Sequence, residues 1–463
     1  MAPRHSFRAL VSGLAAGDDD APRSEPRPAE ARKPRRDHAP RRAEPKADPA
    51  PVASPALAGE RGEITAAPTP KPAAGAVPRM IDTTEELAAL CARLAKNSFV
   101  AVDTEFLRET TYWPKLCVVQ LAGADEVGVV DALSDRLDLA PFFELMANEA
   151  VVKVFHAARQ DVEICVHRGG FVPKPLFDTQ VASTVLGFGD QVSYDQLVQR
   201  LVGHEIDKSL RFTDWSKRPL TDAQLIYAAA DVIYLRPAYE KLVQRLEKRG
   251  RTQWVVDEMA LATDPKLYVT DPEDAWIRLR GRMRKPQQIA VLMEVAAWRE
   301  REARARDVPR SRVLKDEAIQ DVADKLPRTV EALGQLRTIP SGFERSRTGQ
   351  DILAAVERGF ARDLSALPRF EEDRGPGAPG ALTDMLKVLA KKICEESGVA
   401  PKVLATVDEI EAIAANDLAD VPAMKGWRRE MFGEKALKLK RGELSIAVEN
   451  GKVVIEDRVP RQE

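Results

Sequence analysis

Three closely spaced apolar runs constrain the fold of this chain most: FVAVDTEF at 99–106, LCVVQLAG at 116–123 and VGVVDA at 127–132. Each is rich in β-branched residues, which suit a pleated, half-buried surface. The links between them hold nine and three residues, too short for a crossover helix, so the three strands are expected to be antiparallel neighbours. Helical patterning then takes over. PFFELMAN reads as a helix, VVKVFH as a fourth strand, and AARQDVEICVHRG as a helix ending at Gly169 and Gly170. FDTQVASTVLG begins another helix with Asp178 as its N-cap, and SYDQLVQRLVG a further one. TDAQLIYAAADVIYLRPAYEKLVQRLEKRG reads as one long amphipathic helix. Upstream, Thr83 or Thr84 caps a helix to about Lys96, with Glu85 and Glu86 in its first turn. The pattern predicts one α/β domain with a mixed sheet, about 80–265.

Beyond about residue 270 the strand pattern stops. PQQIAVLMEVAAWREREARARD opens a helical unit that closes with GFERSRTGQDILAAVERG. The breaker-rich stretch DRGPGAPGA separates it from a second unit beginning ALTDMLKVLAKKICEESG. These are expected to be two small all-helical domains, 275–365 and 380–455, the second diverged from the first.

Residues 1–79 are of another kind. They hold fourteen of the 32 prolines among Ala, Arg, Glu and Asp, with few large apolar residues. Such a segment buries too little surface to offset its ordering entropy and is expected to be disordered. Met80 stands where ordered pattern begins, so two readings are open: translation starting there, or a basic tail that tethers RNA. The formal net charge of −2 gives no global pull on a polyanion, so any attraction to phosphate must be local. The four cysteines are scattered without a C-x-x-C pair, which argues against a zinc site or a disulfide framework. No apolar run approaches the roughly 18 residues a membrane span needs, and no secretory signal opens the chain. A cytoplasmic protein is the expectation.

Four carboxylates stand in informative places. Asp103 and Glu105 are two apart in an apolar strand and share a face. Buried together they would repel, unless hard cations compensate; on an edge strand they would simply meet water. Asp161 falls about one turn into the helix after VVKVFH, where a dipole-favouring acid is the plainer explanation. Tyr227 and Asp231 are four apart on one helix and share a face, with small Ala228, Ala229 and Ala230 between them. Each piece alone has a bland explanation; the combination is specific.

D-x-E on the first strand, a mid-domain Asp and a late Y-x-x-x-D resemble the tyrosine subclass of the DEDD exonuclease superfamily. VDTEF, TYWP-x-L, H-A-x-x-D, FDTQ, DKS-x-x-x-TDWS-x-RPL and YAAADV-x-YL, from Met80 to about Gly250, look like the ribonuclease D family in particular. The two helical units resemble the HRDC domains that follow the nuclease in that family. The resemblance implies a ribonuclease H-like exonuclease fold and removal of nucleoside 5′-monophosphates from RNA 3′ ends, with tRNA precursors bearing 3′ trailers as substrates and a monomeric state. It also implies two divalent cations, Mg²⁺ or Mn²⁺. Asp103, Glu105 and Asp231 would hold one, Asp103 would bridge to the second, Asp161 would support that one, and Tyr227 would orient the attacking water. A DNA exonuclease and a non-catalytic RNA-binding scaffold are the alternatives.

Other residues carry weaker expectations. Lys208, Arg211 and Lys217 flank TDWS and could meet phosphates or be a solvated loop. Arg278, Arg280, Arg282 and Arg284 open the first helical unit, and arginines continue to Arg312; interspersed Glu residues make part of this run a solvated, ion-paired face. His156 reads as a satisfied buried histidine, Asp178 as a cap, Trp215 as core and Gln120 as an ordinary sheet polar residue.

Overall fold

The computed structural model describes residues 77–281, 283–368 and 380–458. The expected disorder of the N-terminal extension falls, up to residue 76, outside the described residues, as does Arg282.

The sheet is six-stranded: β1 (Met80–Ile81), β2 (Phe99–Leu107), β3 (Lys115–Ala122), β4 (Val127–Asp131), β5 (Val152–Phe155) and β6 (Leu176–Asp178), in the order β1-β4-β3-β2-β5-β6. β2, β3 and β4 are antiparallel neighbours, as the short links require. β1 pairs parallel to β4, β5 to β2 and β6 to β5, which makes the sheet mixed. The two- and three-residue strands β1 and β6 escape the sequence pattern, because they are too short to show alternation.

The helices of this domain are α1 (Thr84–Leu94), α2 (Ala140–Ala147), α3 (Arg159–Ile164), α4 (Thr179–Leu186), α5 (Tyr194–Leu201), α6 (Asp222–Ile233), α7 (Leu235–Lys248) and α8 (Thr252–Ala262). Thr83 caps α1 and Asp178 caps α4, as expected. One sheet face, with Val100, Val102, Val119, Leu121 and Val130, buries against Leu87, Leu90 and Leu94 of α1 and Phe142 and Met146 of α2. The other face, with Ala101, Val118, Ala122 and Val129, buries against Ala228, Ala229 and Val232 of α6. The expected single long helix is two, broken at Tyr234. Pro237 has no N–H for the Ile233 carbonyl four residues back, and its ring crowds that carbonyl.

The second unit comprises α9 (Pro286–Ala305), α10 (Arg310–Val313), α11 (Asp316–Lys325), α12 (Val330–Gly334) and α13 (Arg347–Ala361). The third comprises α14 (Gly380–Ser397), α15 (Pro401–Leu404), α16 (Val407–Ala415), α17 (Gly426–Arg428) and α18 (Glu434–Lys440), then β7 (Leu444–Glu449) and β8 (Lys452–Asp457). Both units run from a long helix through a four-residue helix to a medium one. Both four-residue helices end in the same extended conformation, φ −160° and ψ 132° at Leu314 and φ −160° and ψ 133° at Ala405.

The expectation that the third unit is all-helical is corrected: β7 and β8 form an antiparallel hairpin. Its turn is Asn450–Gly451, with φ 49° and 75°, the left-handed pair that a two-residue hairpin turn demands. Ile446 and Ile455 face each other across it and pack on the helical core. LSIAVENGKVVIE carries the signal, an Asn-Gly between two alternating runs.

Both helical units are docked on the nuclease domain. The loop between β2 and β3 inserts Tyr112 against the first, where its hydroxyl donates to Glu300. Glu300 also accepts from Arg310 Nε at 2.6 Å and Nη2 at 2.7 Å. Asp307 accepts from the backbone N–H groups of Tyr112 and Trp113 at 3.0 and 3.1 Å. Trp254 of α8 stacks on Trp427 of the third unit at 4.7 Å, and Glu258 accepts from Trp427 Nε1 at 2.9 Å and Arg428 Nη2 at 3.0 Å.

Candidate active site

β2 brings Asp103 and Glu105 to the sheet face that α6 covers, at the edge of that cover. α6 starts with a capping box, Thr221 with Gln224, which fixes its first turn. One turn later Tyr227 and Asp231 share the face turned toward β2, while Ala228, Ala229 and Val232 let the helix approach closely. One carboxylate oxygen from each of Asp103, Glu105 and Asp231 lies within 4.8 Å of the others.

Asp161 enters from α3. The turn before that helix passes through Ala157 at φ 59°, a left-handed conformation unusual for a residue with a side chain. Asp178 holds this turn: it accepts from the N–H groups of Ala157 and Ala158 at 2.9 and 2.8 Å and from Gln180 N at 2.8 Å. Asp178 is therefore the expected cap and also the brace of the turn that aims Asp161. Thr104, between the two acids of β2, donates to Asp161. Sequence reasoning passed over Thr104 and Tyr194, which line the same cleft; the position of Thr104 inside D-x-E was the available signal.

The cleft has a volume of about 490 Å³ and is lined by all four acids, Tyr227, Lys208 and Arg211, among others. Its electrostatics are those of an uncompensated acidic cluster. Burial, then repulsion from Asp231 and Asp161, pushes Glu105 up to about 9, with Arg211 pulling the other way. Burial raises Asp231 to about 7. It raises Asp161 to about 7 as well, against the opposing hydrogen bond from Thr104. Asp103 is raised most plainly, by burial and then by Asp231, Asp161 and Glu105. Burial, then Asp231, Glu105 and Asp103, raise the Tyr227 phenol. Four carboxylates that burial keeps from ionising, two of them held back further by others of the four, and that offer only oxygen donors, fit hard divalent cations.

The remaining expected residues divide. Lys208 lines the cleft and pairs with Asp195 at 2.6 Å. Lys217 does not line it and faces Asp214 at 3.9 Å. Arg278, Arg280 and Arg284 lie outside the cleft lining; Arg278 pairs with Asp316 at 3.1 Å. Farther along, several arginines are tied up within the protein. Arg299 is buried and donates to Leu314 O and Asp316, and Arg304 and Arg310 serve Glu300 and Tyr112. His156 is satisfied, with Nδ1 2.9 Å from Thr179 Oγ1 and Nε2 3.1 Å from Val192 O. Trp215 is core. Gln120 lies opposite Asp103 in the β2–β3 register and is fully buried, with neither amide atom hydrogen-bonded.

A mixed sheet with three acids from β2 and α6 at its edge, and a fourth braced beside them, is the arrangement of a metal-dependent 3′–5′ exonuclease. A family model described as 3′-5′ exonuclease matches residues 78–247, and one described as HRDC domain matches 288–356. The chain is 58% identical over 379 residues to the ribonuclease D of Nitrobacter hamburgensis, covering 82% of this chain and 99% of that one. It is 45% identical to the ribonuclease D of Bartonella henselae, covering 81% and 93%. Among solved structures, Escherichia coli RNase D, described as an exoribonuclease involved in structured RNA processing, superimposes with a TM-score of 0.70. That likeness has 30% identity and covers 79% of this chain and 99% of that one. The chain belongs to the ribonuclease D family.

Proposed function

We propose that this 3′→5′ exoribonuclease trims the 3′ trailers of tRNA precursors at the cleft between β2 and α6, with two divalent cations, Mg²⁺ or Mn²⁺, held by its four acids. The observation that carries the site is the convergence of Asp103, Glu105, Asp161 and Asp231 from three separate elements into one cleft. Asp103, Glu105 and Asp231 are close enough together to share one ion, and Asp161, in the same cleft, would help Asp103 hold a second. Bound there, a pair of such ions stabilises the entering and leaving oxygens of an in-line phosphoryl displacement. Thr104 and Asp178 keep Asp161 aimed at the site.

Tyr227 stays protonated at neutral pH, since burial and the acids hold its phenol above the ordinary range. It can therefore orient the attacking water by a hydrogen bond without taking its proton. Lys208 and Arg211 supply positive charge on the cleft wall for the phosphates flanking the scissile bond. The third unit is a second, diverged HRDC domain, a reading supported by the helix order and shared backbone turn described above.

Among the described residues no helix is long and apolar enough to cross a membrane; that the chain acts as a monomer in the cytoplasm is part of the proposal. The test is incubation of the purified chain with a tRNA bearing a 3′ trailer, the mature tRNA and a DNA strand matched to the trailer. Shortening of the trailer with release of nucleoside 5′-monophosphates, and little action on the DNA, is the expected result. Preference for the DNA would refute the ribonucleolytic assignment.

A further inference from the structure

Phe212 presents 92% of its surface to solvent, more than any other large apolar side chain among the exposed ones described. A phenyl ring so exposed does nothing for the core. Its place matters more than its exposure. It follows Arg211, whose guanidinium carbon lies 5.3 Å from the centre of the ring. Arg211 lines the cleft, and its charge acts on both Glu105 and Tyr227. Lys208, three residues before Arg211 on the same loop, lines the cleft too.

The loop is not loosely attached. Arg211 N donates to Lys208 O at 3.2 Å and Thr213 N to Leu210 O at 3.1 Å. Gln224 Nε2, from the first turn of α6, donates to Thr213 Oγ1 at 3.2 Å. Trp215 is buried two residues beyond that, and Arg218 forks onto Asp131 at 2.6 and 2.9 Å. The ring is thus exposed directly after a residue that lines the cleft, on a loop turned back on itself before it and tied down after it.

An anchored aromatic face next to cations is the combination with which proteins hold unpaired nucleotides: the cations take the phosphates and the ring takes a base face. We infer that Phe212 is a stacking platform for an unpaired base of the RNA, just upstream of the nucleotide being removed. This inference rests on the cleft being the site of RNA 3′-end hydrolysis. Stacking is indifferent to base identity but needs a free base. Phe212 therefore favours a single-stranded trailer of several nucleotides and loses its hold when the remaining overhang is short.

The test compares F212A, F212L and F212W on oligoadenylates of two to ten nucleotides and on the p-nitrophenyl ester of uridine 5′-monophosphate, which has no upstream base. F212A and F212L are expected to raise KM for the longer oligomers by about tenfold, with kcat little changed and ester hydrolysis unaltered. F212W is expected to restore KM and to lose fluorescence when oligoadenylate binds. Wild-type KM in F212A on the longer oligomers would overturn the inference, as would full rescue by the non-aromatic F212L. A wild-type chain inactive with Mg²⁺ on both ester and RNA would instead overturn the site assignment, and the inference with it.

Discussion

Glu300→Ala tests whether the first helical unit is a fixed part of the enzyme. The Glu300 side chain is 1% exposed and accepts from Arg310 Nε and Nη2 at 2.6 and 2.7 Å and from the Tyr112 hydroxyl. Arg304 Nη2 lies 3.4 Å away. Removing the carboxylate leaves two guanidinium groups facing each other in a partly buried space, with the Tyr112 hydroxyl still accepting from both but left without an acceptor for its own proton. Breaking one side of a buried ion pair costs about 3–5 kcal/mol. For a helical unit of about 90 residues that is roughly 15–25 °C in the melting transition. Tyr112→Phe removes a hydroxyl that donates to Glu300 and accepts from Arg304 and Arg310, but no charge, so its cost is about 1–3 kcal/mol.

The pH dependence has a definite sign. Burial raises the Glu300 carboxyl, but the Arg310 hydrogen bonds and charge outweigh it and leave the pKa below the ordinary value of 4.5. The stabilisation is therefore present above that value and is lost as pH falls through the lowered one. Calorimetry of wild type, E300A and Y112F at pH 7.5 and pH 3.5 is the assay. E300A melting within a degree of wild type at pH 7.5 would refute the reasoning.

Asp103→Asn and Asp231→Asn should each abolish hydrolysis, measured by nucleotide release, while leaving the metal-free chain at least as stable as wild type. For Asp231 the folded pKa, about 7, lies above the ordinary 3.8, so the metal-free wild type loses stability as pH rises through that window. The stability advantage of D231N in EDTA should grow from pH 4 to pH 8, to at most about 4 kcal/mol; a constant gap would contradict the burial that raises Asp231. Tyr227→Phe should lower turnover about 100-fold with Mn²⁺ binding intact by calorimetry, as loss of one positioned hydroxyl implies. Truncation after residue 265 removes the residues that cover Tyr112, Trp254 and Glu258. The fragment should melt roughly 10 °C below the full chain, and an unchanged melting point would show that the docking contributes nothing.

The sequence made three of the four candidate metal-binding acids, Asp103, Glu105 and Asp231, legible because each sits in a context whose geometry is local. Two residues apart on a strand, or four on a helix, define a shared face without knowledge of the rest of the chain. Asp161 needed the fold: its aim depends on a left-handed Ala157 and on Asp178, which comes from another strand–helix junction. Tyr112 was legible only as part of a connecting loop, since its companions Glu300 and Arg310 lie nearly two hundred residues away. For the same reason the arginines beyond Arg278 looked available for RNA, whereas several are taken up by Glu300, Asp316 and Tyr112. The hairpin at Asn450–Gly451 was readable and was missed because a run of helices set the expectation.

The most direct measurement follows a 5′-labelled RNA with a single-stranded 3′ tail, incubated with the pure chain in Mg²⁺ and in EDTA. The account predicts a ladder that shortens one nucleotide at a time from the 3′ end in Mg²⁺, with nucleoside 5′-monophosphates as the only small product. It predicts no shortening in EDTA and none with D103N. Internal cuts, or shortening that persists in EDTA, would contradict it.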